Sequence, residues 1–412
     1  MASIVQREKS YCVVYGYTAE DGRRKQKWET YYSEKEAIER KLELENPNAF
    51  ITSNPKIRTL NDLLDYYINI YGAVRWSVNT YTDHVGKLRN YIRPHIGDVS
   101  LRCINKKFMS AYFQKLLTIP RVANKYRPSD IKTVGLPTAE KVYAILKSAF
   151  QQAVHWGMIE DNPVSRISLP QPYRGPKRML TADQVYAVIS EAMRQEQDIL
   201  ALLIQFAFAC SMRLGEILGL CWSEVNLEEG YLEVKQELSR VNLEALESLN
   251  HKHVFHVFEP HWSHSKSRLV LKEPKTNSSK RMIYLPQTLI QYLKGWKGKQ
   301  QMQNNLVDFD LVIAKEDGRP FCPRKATDLF VKAVAELGLS RVHFHSLRYS
   351  STSYKLMLSQ GDIKAVQGDT GHAQPNMVLS VYAQIQDARR MLLAETLDGG
   401  FFSKKPENKG AC

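Results

Sequence analysis

Two arginines, two histidines and a tyrosine stand in three short stretches of the second half of this 412-residue chain. Arg213 lies in "CSMRLGEILGL", His345 and Arg348 share "HFHSLRYSS", and His372 and Tyr382 share "GDTGHAQPNMVLSVYAQIQ". The set comes without a paired-carboxylate acid/base motif, a serine elbow or a phosphate-cradling glycine loop. The chemistry it suits is attack on a phosphodiester. A phosphodiester under attack gathers charge on its non-bridging oxygens, and a planar guanidinium holds such oxygens through two parallel hydrogen bonds. The imidazoles can donate to the same oxygens or carry a proton, because their ordinary pKa lies near neutrality. Tyrosine can form a covalent intermediate, and a phenolate leaves more readily than an alkoxide, so the bond is stored and returned. Val378, Leu379 and Val381 give the Tyr382 segment apolar contacts, so that a helix could pack there and leave the phenol facing the two arginines.

Taken one at a time, each residue also fits a plainer role. Arg213 suits one half of a buried ion pair, His345 a core histidine, Arg348 a helix-surface charge and Tyr382 a core aromatic.

The whole chain narrows the choice. Its length implies two to four domains at roughly 100–200 residues each. The 57 Lys and Arg against 43 Asp and Glu leave a formal charge of +14, which points to a polyanionic partner, most simply nucleic acid. Six cysteines are scattered without a C-x-x-C pair, the pattern of a reducing cytoplasm. The N-terminal residues carry no apolar signal segment, and the most apolar run, "ILALLIQFAFAC" at 199–210, falls short of the roughly 20 residues that span a bilayer. A buried helix and a cytoplasmic protein with no membrane partner are expected.

The elements that must position the five residues are legible in outline. Residues 1–55 alternate aromatic and polar side chains around the turn signal "AEDGRRK", then give the helical pattern "SEKEAIERKLELE". They read as a small β-sheet-plus-helix N-terminal module. Residues 57–170 read as an all-α domain, with 16 Lys and Arg against 8 Asp and Glu; Arg121, Lys125, Arg127 and Lys132 in "RVANKYRPSDIK" are the candidates for contacting DNA phosphates. The proline-rich "SLPQPYRGPKR" at 168–178 is a linker, and a capping box of Thr181 and Gln184 opens the last domain. That domain, residues 175–395, reads as mainly α with a small antiparallel sheet built from "GYLEVKQEL" and "LVLKEPKTNSSKRMIYLP", and a tail follows at 396–412. Five of the 11 histidines, His251, His253, His256, His261 and His264, crowd "HKHVFHVFEPHWSHS". The run resembles no zinc spacing and is read as an extended hairpin, so no metal is assigned.

In order and context these stretches resemble the tyrosine recombinases, the phage-type integrases: "RLGE", "PKTNSSKRMIYLP", "HSLR", "TGH" and "SVYA" stand where that family has its Arg-x-Gly-Glu, turn lysine, His-x-x-Arg, Gly-His and nucleophilic tyrosine. The likeness covers residues 175–395. It extends more weakly to "AVHWGMIEDNPVSRI", similar to the end of a core-binding domain, and to residues 1–55, which resemble the arm-site module of conjugative-transposon integrases. The resemblance implies that Tyr382 attacks the scissile phosphate to form a 3′-phosphotyrosyl bond, that Arg213, Arg348, His345 and His372 surround that phosphate, and that Lys275 protonates the 5′-oxygen, with Lys272 and Lys280 as competitors. Glu216 would support the site. It further implies a homotetramer on double-stranded attachment-site DNA, no cofactor, an excisionase or host DNA-bending factor as accessory partners, and a bacterial cytoplasm with nucleoid association when bound. Three positions depart from the commonest pattern: Ser211 replaces a glycine, Tyr349 a histidine and Thr370 a leucine. A type IB topoisomerase, a DNA-binding regulator without activity and a metal-dependent nuclease built on the histidine run are the rivals.

Overall fold

The structure, a computed structural model, describes residues 2–7, 10–18, 24–45, 57–122, 132–171, 178–260, 264–274, 277–302, 310–371 and 394–398. The chain divides into two compact units, Met1–Arg174 with Glu244–Lys252, and Gly175–Leu243 with His253–Cys412.

The first unit opens with strands β1 (Ala2–Arg7), β2 (Ser10–Thr18) and β3 (Arg24–Tyr31) in one antiparallel sheet, followed by helix α1 (Glu34–Glu45). Alternate residues of β2 face the helix, as the two-residue strand period requires. Val13 and Ala37 are fully buried between Ile4, Tyr11, Tyr15 and Tyr31. From Ile57 onward the unit is helical: α2 (Leu60–Tyr66), α3 (Ala73–Arg75), α4 (Val78–Lys87), α5 (Arg93–Ile96), α6 (Lys106–Leu116) and α7 (Leu136–His155). Helix α2 starts where Thr59 and Asp62 satisfy each other's backbone N–H groups, at 3.2 and 2.8 Å. Helix α7 buries Ala139, Val142, Leu146, Ala149, Phe150 and Ala153, a stripe at helical spacing, and the Tyr67 hydroxyl donates to Ser148 on that helix at 2.6 Å.

The second unit begins with α8 (Ala182–Arg194), α9 (Asp198–Ala209) and α10 (Leu214–Leu218). The Thr181–Gln184 capping box forms, with bonds of 3.2 and 3.0 Å, and α9 is apolar around most of its circumference because it runs through the core. Strands β4 (Val225–Asn226), β5 (Tyr231–Val234), β6 (Glu237–Asn242), β7 (Val254–Phe258), β8 (Ser267–Lys272) and β9 (Arg281–Tyr284) follow; between β6 and β7 the chain forms α11 (Leu243–Ser248), which from Glu244 on belongs to the first unit. Helices α12 (Gln287–Met302), α13 (Pro323–Glu336), α14 (Ser346–Leu358) and α15 (Ile363–Thr370) come after the strands. The chain is thus mainly helical, with small antiparallel sheets.

The sequence suggested one sheet in the last domain, and the structure has two, ordered β4-β5-β9 and β6-β8-β7. Both strand-like stretches divide between them. "GYLEVKQEL" breaks at Lys235–Gln236, where the Gln236 amide turns to donate to the Gly219 carbonyl at 3.1 Å, and "LVLKEPKTNSSKRMIYLP" breaks at its polar centre. Each half pairs with the matching half of the other stretch, β5 with β9 and β6 with β8. The histidine-rich run supplies β7, paired antiparallel to β8. No helix among the described residues is long and apolar enough to cross a membrane.

Candidate active site

The short helix α10 starts at Arg213, and its orphan N-terminal N–H is met by the Glu216 carboxylate at 3.0 Å. The same carboxylate accepts from Arg213 Nη1 at 2.5 Å and from Arg281 Nη2, on β9, at 3.2 Å. Glu216 is 1% exposed. Burial pushes its carboxyl upward, but Arg281 and then Arg213 outweigh that and hold it below the ordinary value of 4.5. Arg213 is therefore half of a buried ion pair, as its plainer reading held, yet its side chain keeps 30% exposure. Its side-chain bonds to Glu216 and to Ser279 Oγ, at 3.0 Å, both use Nη1. Nε and Nη2 have no partner among the described residues.

Arg348, in the first turn of α14, is not a helix-surface charge: it is 2% exposed. Nη1 donates to the Ser211 carbonyl and Nη2 to the Thr370 carbonyl. Among the described residues, two of its five N–H groups are spent on backbone, which fixes the guanidinium plane and leaves three. Burial, and next the charges of Arg213 and Arg281, push its pKa down to about 9, so it stays cationic at neutral pH.

The two segments that supply these carbonyls, a loop at Ser211 and the end of α15, are unusual. Ser211 has φ +50°, a region that residues with a side chain seldom occupy, which accounts for the glycine more common there. Its Oγ lies 2.6 Å from Ser351 Oγ and accepts from Lys355 Nζ at 3.0 Å. Lys355 also pairs with Asp369. Thr370 is fully buried, its hydroxyl donating to the Val366 carbonyl at 2.7 Å, and it ends α15. Gly371 then takes φ +61°, where a Cβ would stand 2.8 Å from Arg281 Cδ. Only glycine combines that backbone with that close approach.

His345 precedes α14 and is exposed rather than packed in the core, its ring edge-on to Tyr349 at 5.1 Å. Of the three lysine candidates, Lys272 is buried and paired with Glu237, Lys280 is exposed and pairs with Glu273 at 3.3 Å, and Lys275 lies outside the described residues. So do His372 and Tyr382. Arg121 and Lys132 are exposed and joined by a backbone bond of 2.9 Å; Lys125 and Arg127 lie outside the described residues. His253 pairs with Glu273 at 3.0 Å, and the described residues hold no group of three side chains able to bind a metal ion.

The structure thus brings Arg213, Glu216 and Arg348 together and adds side chains that sequence reasoning did not single out. Arg281, inside the quoted "SSKRMIYLP", donates to Glu216, to the Ser279 carbonyl at 3.0 Å and to the Asp369 carbonyl at 3.2 Å. Lys355 and Asp369 carried no motif. Together Arg213, Arg281, Arg348 and Lys355 outnumber Glu216 and Asp369 four to two, and the surplus of positive charge in a partly dry site suits a phosphodiester.

The model of the phage integrase family matches residues 178–389. A tyrosine recombinase XerC-like protein of Caldanaerobacter subterraneus subsp. tengcongensis is 23% identical over 359 residues, covering 83% of each chain. Among solved structures, the Tn1549 transposon integrase in complex with transposon right end DNA is similar with a TM-score of 0.60 at 17% identity, covering 82% of this chain and 98% of that one. A lambda integrase tetramer bound to a Holliday junction gives 0.52 at 18% identity, over 92% and 94%.

Proposed function

The chain belongs to the phage integrase family and is a tyrosine-type site-specific DNA recombinase; we propose that in it Arg213 and Arg348 clamp the scissile phosphate while Tyr382 attacks it. The observation that carries this reading is the Arg348 guanidinium, buried yet cationic, held by two carbonyls with three N–H groups unused among the described residues. A cation confined in that way is preorganised for charge that develops on a phosphate. The phosphate would enter over the exposed side of Arg213 and His345, since Arg348 itself has almost no open surface.

In the reaction the Tyr382 phenol gives up its proton, its oxygen bonds to phosphorus and the bond to the 5′-oxygen breaks. Lys275 returns a proton to that oxygen, and His345 and His372 hydrogen-bond around the phosphate. A 5′-hydroxyl of the partner strand then attacks the 3′-phosphotyrosyl bond and releases the tyrosine. One phosphodiester replaces another, so no energy source is consumed. Glu216 keeps Arg213 and Arg281 in place. Around this centre residues 1–55 would bind accessory arm sites, residues 57–170 the core site, residues 175–395 would carry the chemistry, and residues 396–412 form the tail. The working unit would be a homotetramer on attachment-site DNA that integrates and excises a mobile element, with an excisionase or DNA-bending factor biasing direction, in a bacterial cytoplasm at the nucleoid.

Tyr382→Phe keeps the ring and removes only the hydroxyl. Incubated with labelled DNA from the end of its own element, it should bind as the parent chain does and give no covalent band on a denaturing gel. A persistent band would falsify Tyr382 as the nucleophile and point to Tyr349 or Tyr354.

A further inference from the structure

Arg348 is aimed by two carbonyls far apart in sequence, one from the Ser211 loop and one from the end of α15, and one ammonium group joins those segments. Lys355 Nζ bonds Ser211 Oγ at 3.0 Å and also the carboxylate of Asp369. Ser211 supplies one of the carbonyls itself, and Asp369 immediately precedes Thr370, which supplies the other. We propose that Lys355 is a positioning residue for Arg348, holding Ser211 and Asp369 so that the Ser211 loop and the C-terminal end of α15 present both carbonyls to the guanidinium. The proposal rests on the reading of Arg348 as a phosphate clamp.

The hydrogen bonds around Ser211 run in one direction. The Ser351 hydroxyl donates to the Phe208 carbonyl, so the Ser211 hydroxyl donates to Ser351, and the Ser211 oxygen is left to accept from Lys355. Ser211 and Ser351 are fully buried, and this chain ending on Lys355 holds Ser211 at φ +50°. Such a backbone persists only where its surroundings over-determine it. Arg348, Ser351 and Lys355 share a face of α14 at spacings of three and four, which lets one helix carry both the clamp and its strap. The pair with Asp369 is not by itself a large source of stability, because the side chains keep 21% and 37% exposure. Its use lies in placement, where a small displacement of a catalytic cation costs far more in rate than in folding.

The test compares two forms of a duplex from the end of the chain's own element, one with a natural scissile phosphate and one with a methylphosphonate there, which has lost the charged oxygen the clamp would hold. Single-turnover cleavage by the full chain is followed as covalent adduct. Lys355→Met should cleave the phosphate duplex about tenfold or more slowly and the methylphosphonate duplex at nearly the parent rate. Equal losses on both duplexes, or no loss on the phosphate, would overturn the positioning role. If Lys355→Met does not fold, Lys355→Met/Asp369→Leu removes both charges together, so that neither is left without its counter-charge, and carries the same comparison. Recovery of phosphate cleavage to the parent rate in that double variant likewise overturns the proposal. Arg348→Ala separates the two readings: if it is slow on phosphate while Lys355→Met is not, the clamp stands and the strap falls, whereas parent-rate cleavage by Arg348→Ala removes both.

Discussion

Arg348 and Arg121 carry the same charge in opposite surroundings. Arg348 is 2% exposed, bonded to two backbone carbonyls and pushed down to about 9 by burial and by its cationic neighbours. Arg121 stands exposed in the helical part of the first unit, where its backbone, not its guanidinium, is tied to Lys132. Water and salt screen a charge at the surface within about 8–10 Å, while a charge in a low-dielectric pocket acts at several times the strength. On the proposed reading, the first unit would bind a polyanion with many weak, interchangeable cations. The second must hold a few in fixed places, and it does so at a cost in stability, because burial and the neighbouring cations disfavour the charged guanidinium. If the proposed roles hold, affinity and catalysis would in this sense fall to different electrostatic regimes of one chain.

The comparison is broken most directly at Glu216, the anion that makes the buried side possible. Glu216→Gln keeps the shape but leaves Arg213 and Arg281 without their shared counter-charge, and should lower unfolding free energy by about 3–5 kcal/mol, the scale for breaking a buried pair from one side. Urea denaturation measures it. The folded carboxyl titrates below the unfolded value of 4.5, so the parent's stability from this group is fully present above that pH and drains away as pH falls through the lower, folded pKa. The Gln variant should lack that acid-dependent component. A variant as stable as the parent, with the same acid dependence, would mean the arginines are held by other means.

Next in size is Arg348→Ala. Losing one preorganised donor should slow covalent cleavage by about 10²-fold or more and, if affinity is carried by the exposed cations, leave DNA affinity within a small factor. Quench-flow or gel-based cleavage rates beside filter-binding affinities decide it. Cleavage and affinity falling by the same factor would merge the two regimes.

How much of this was legible in the sequence differs between the two sides. Arg213, Glu216 and Arg348 could be picked out because their motifs are local, each placed at the start of a helix. Their surroundings could not. Nothing local says that the first turn of α14 is covered by the loops at Ser211 and Thr370, so a helix-surface arginine was as reasonable for Arg348 as a buried one. The same applies to His345, which a run of apolar neighbours in "VHFHSL" places in a core and the turn before α14 places outside it. Arg281 was hidden in a strand-like run, and the division of that run between two sheets is a pairing choice that only distant residues settle. Ser211 was visible as a departure from glycine, but the three partners that make its backbone tolerable come from elsewhere in the fold. For the basic surface the reverse holds: the excess of charge is a property of composition and needed no fold to see.

The smallest effect belongs to that surface and tests whether it works as composition alone suggests. Arg121→Ala and Lys132→Ala each remove one exposed cation whose side chain holds no part of the core, so folding should be unchanged within about 0.5 kcal/mol. If each neutralises a phosphate, each should weaken binding of any duplex alike, whatever its sequence, and make the log-log dependence of affinity on salt shallower by about 1. The double variant should then be shallower by about 2, with the rate of cleavage at saturating protein unchanged, since no group at the phosphate has been touched. Affinities measured from about 50 to 200 mM salt for the parent and the three variants provide the slopes. Slopes identical to the parent's would place these two residues away from DNA. A slower saturated cleavage rate would be the more instructive failure, because it would mean that an exposed cation in the first unit reaches the reaction in the second, and the division of labour between screened and buried charge would have to be redrawn.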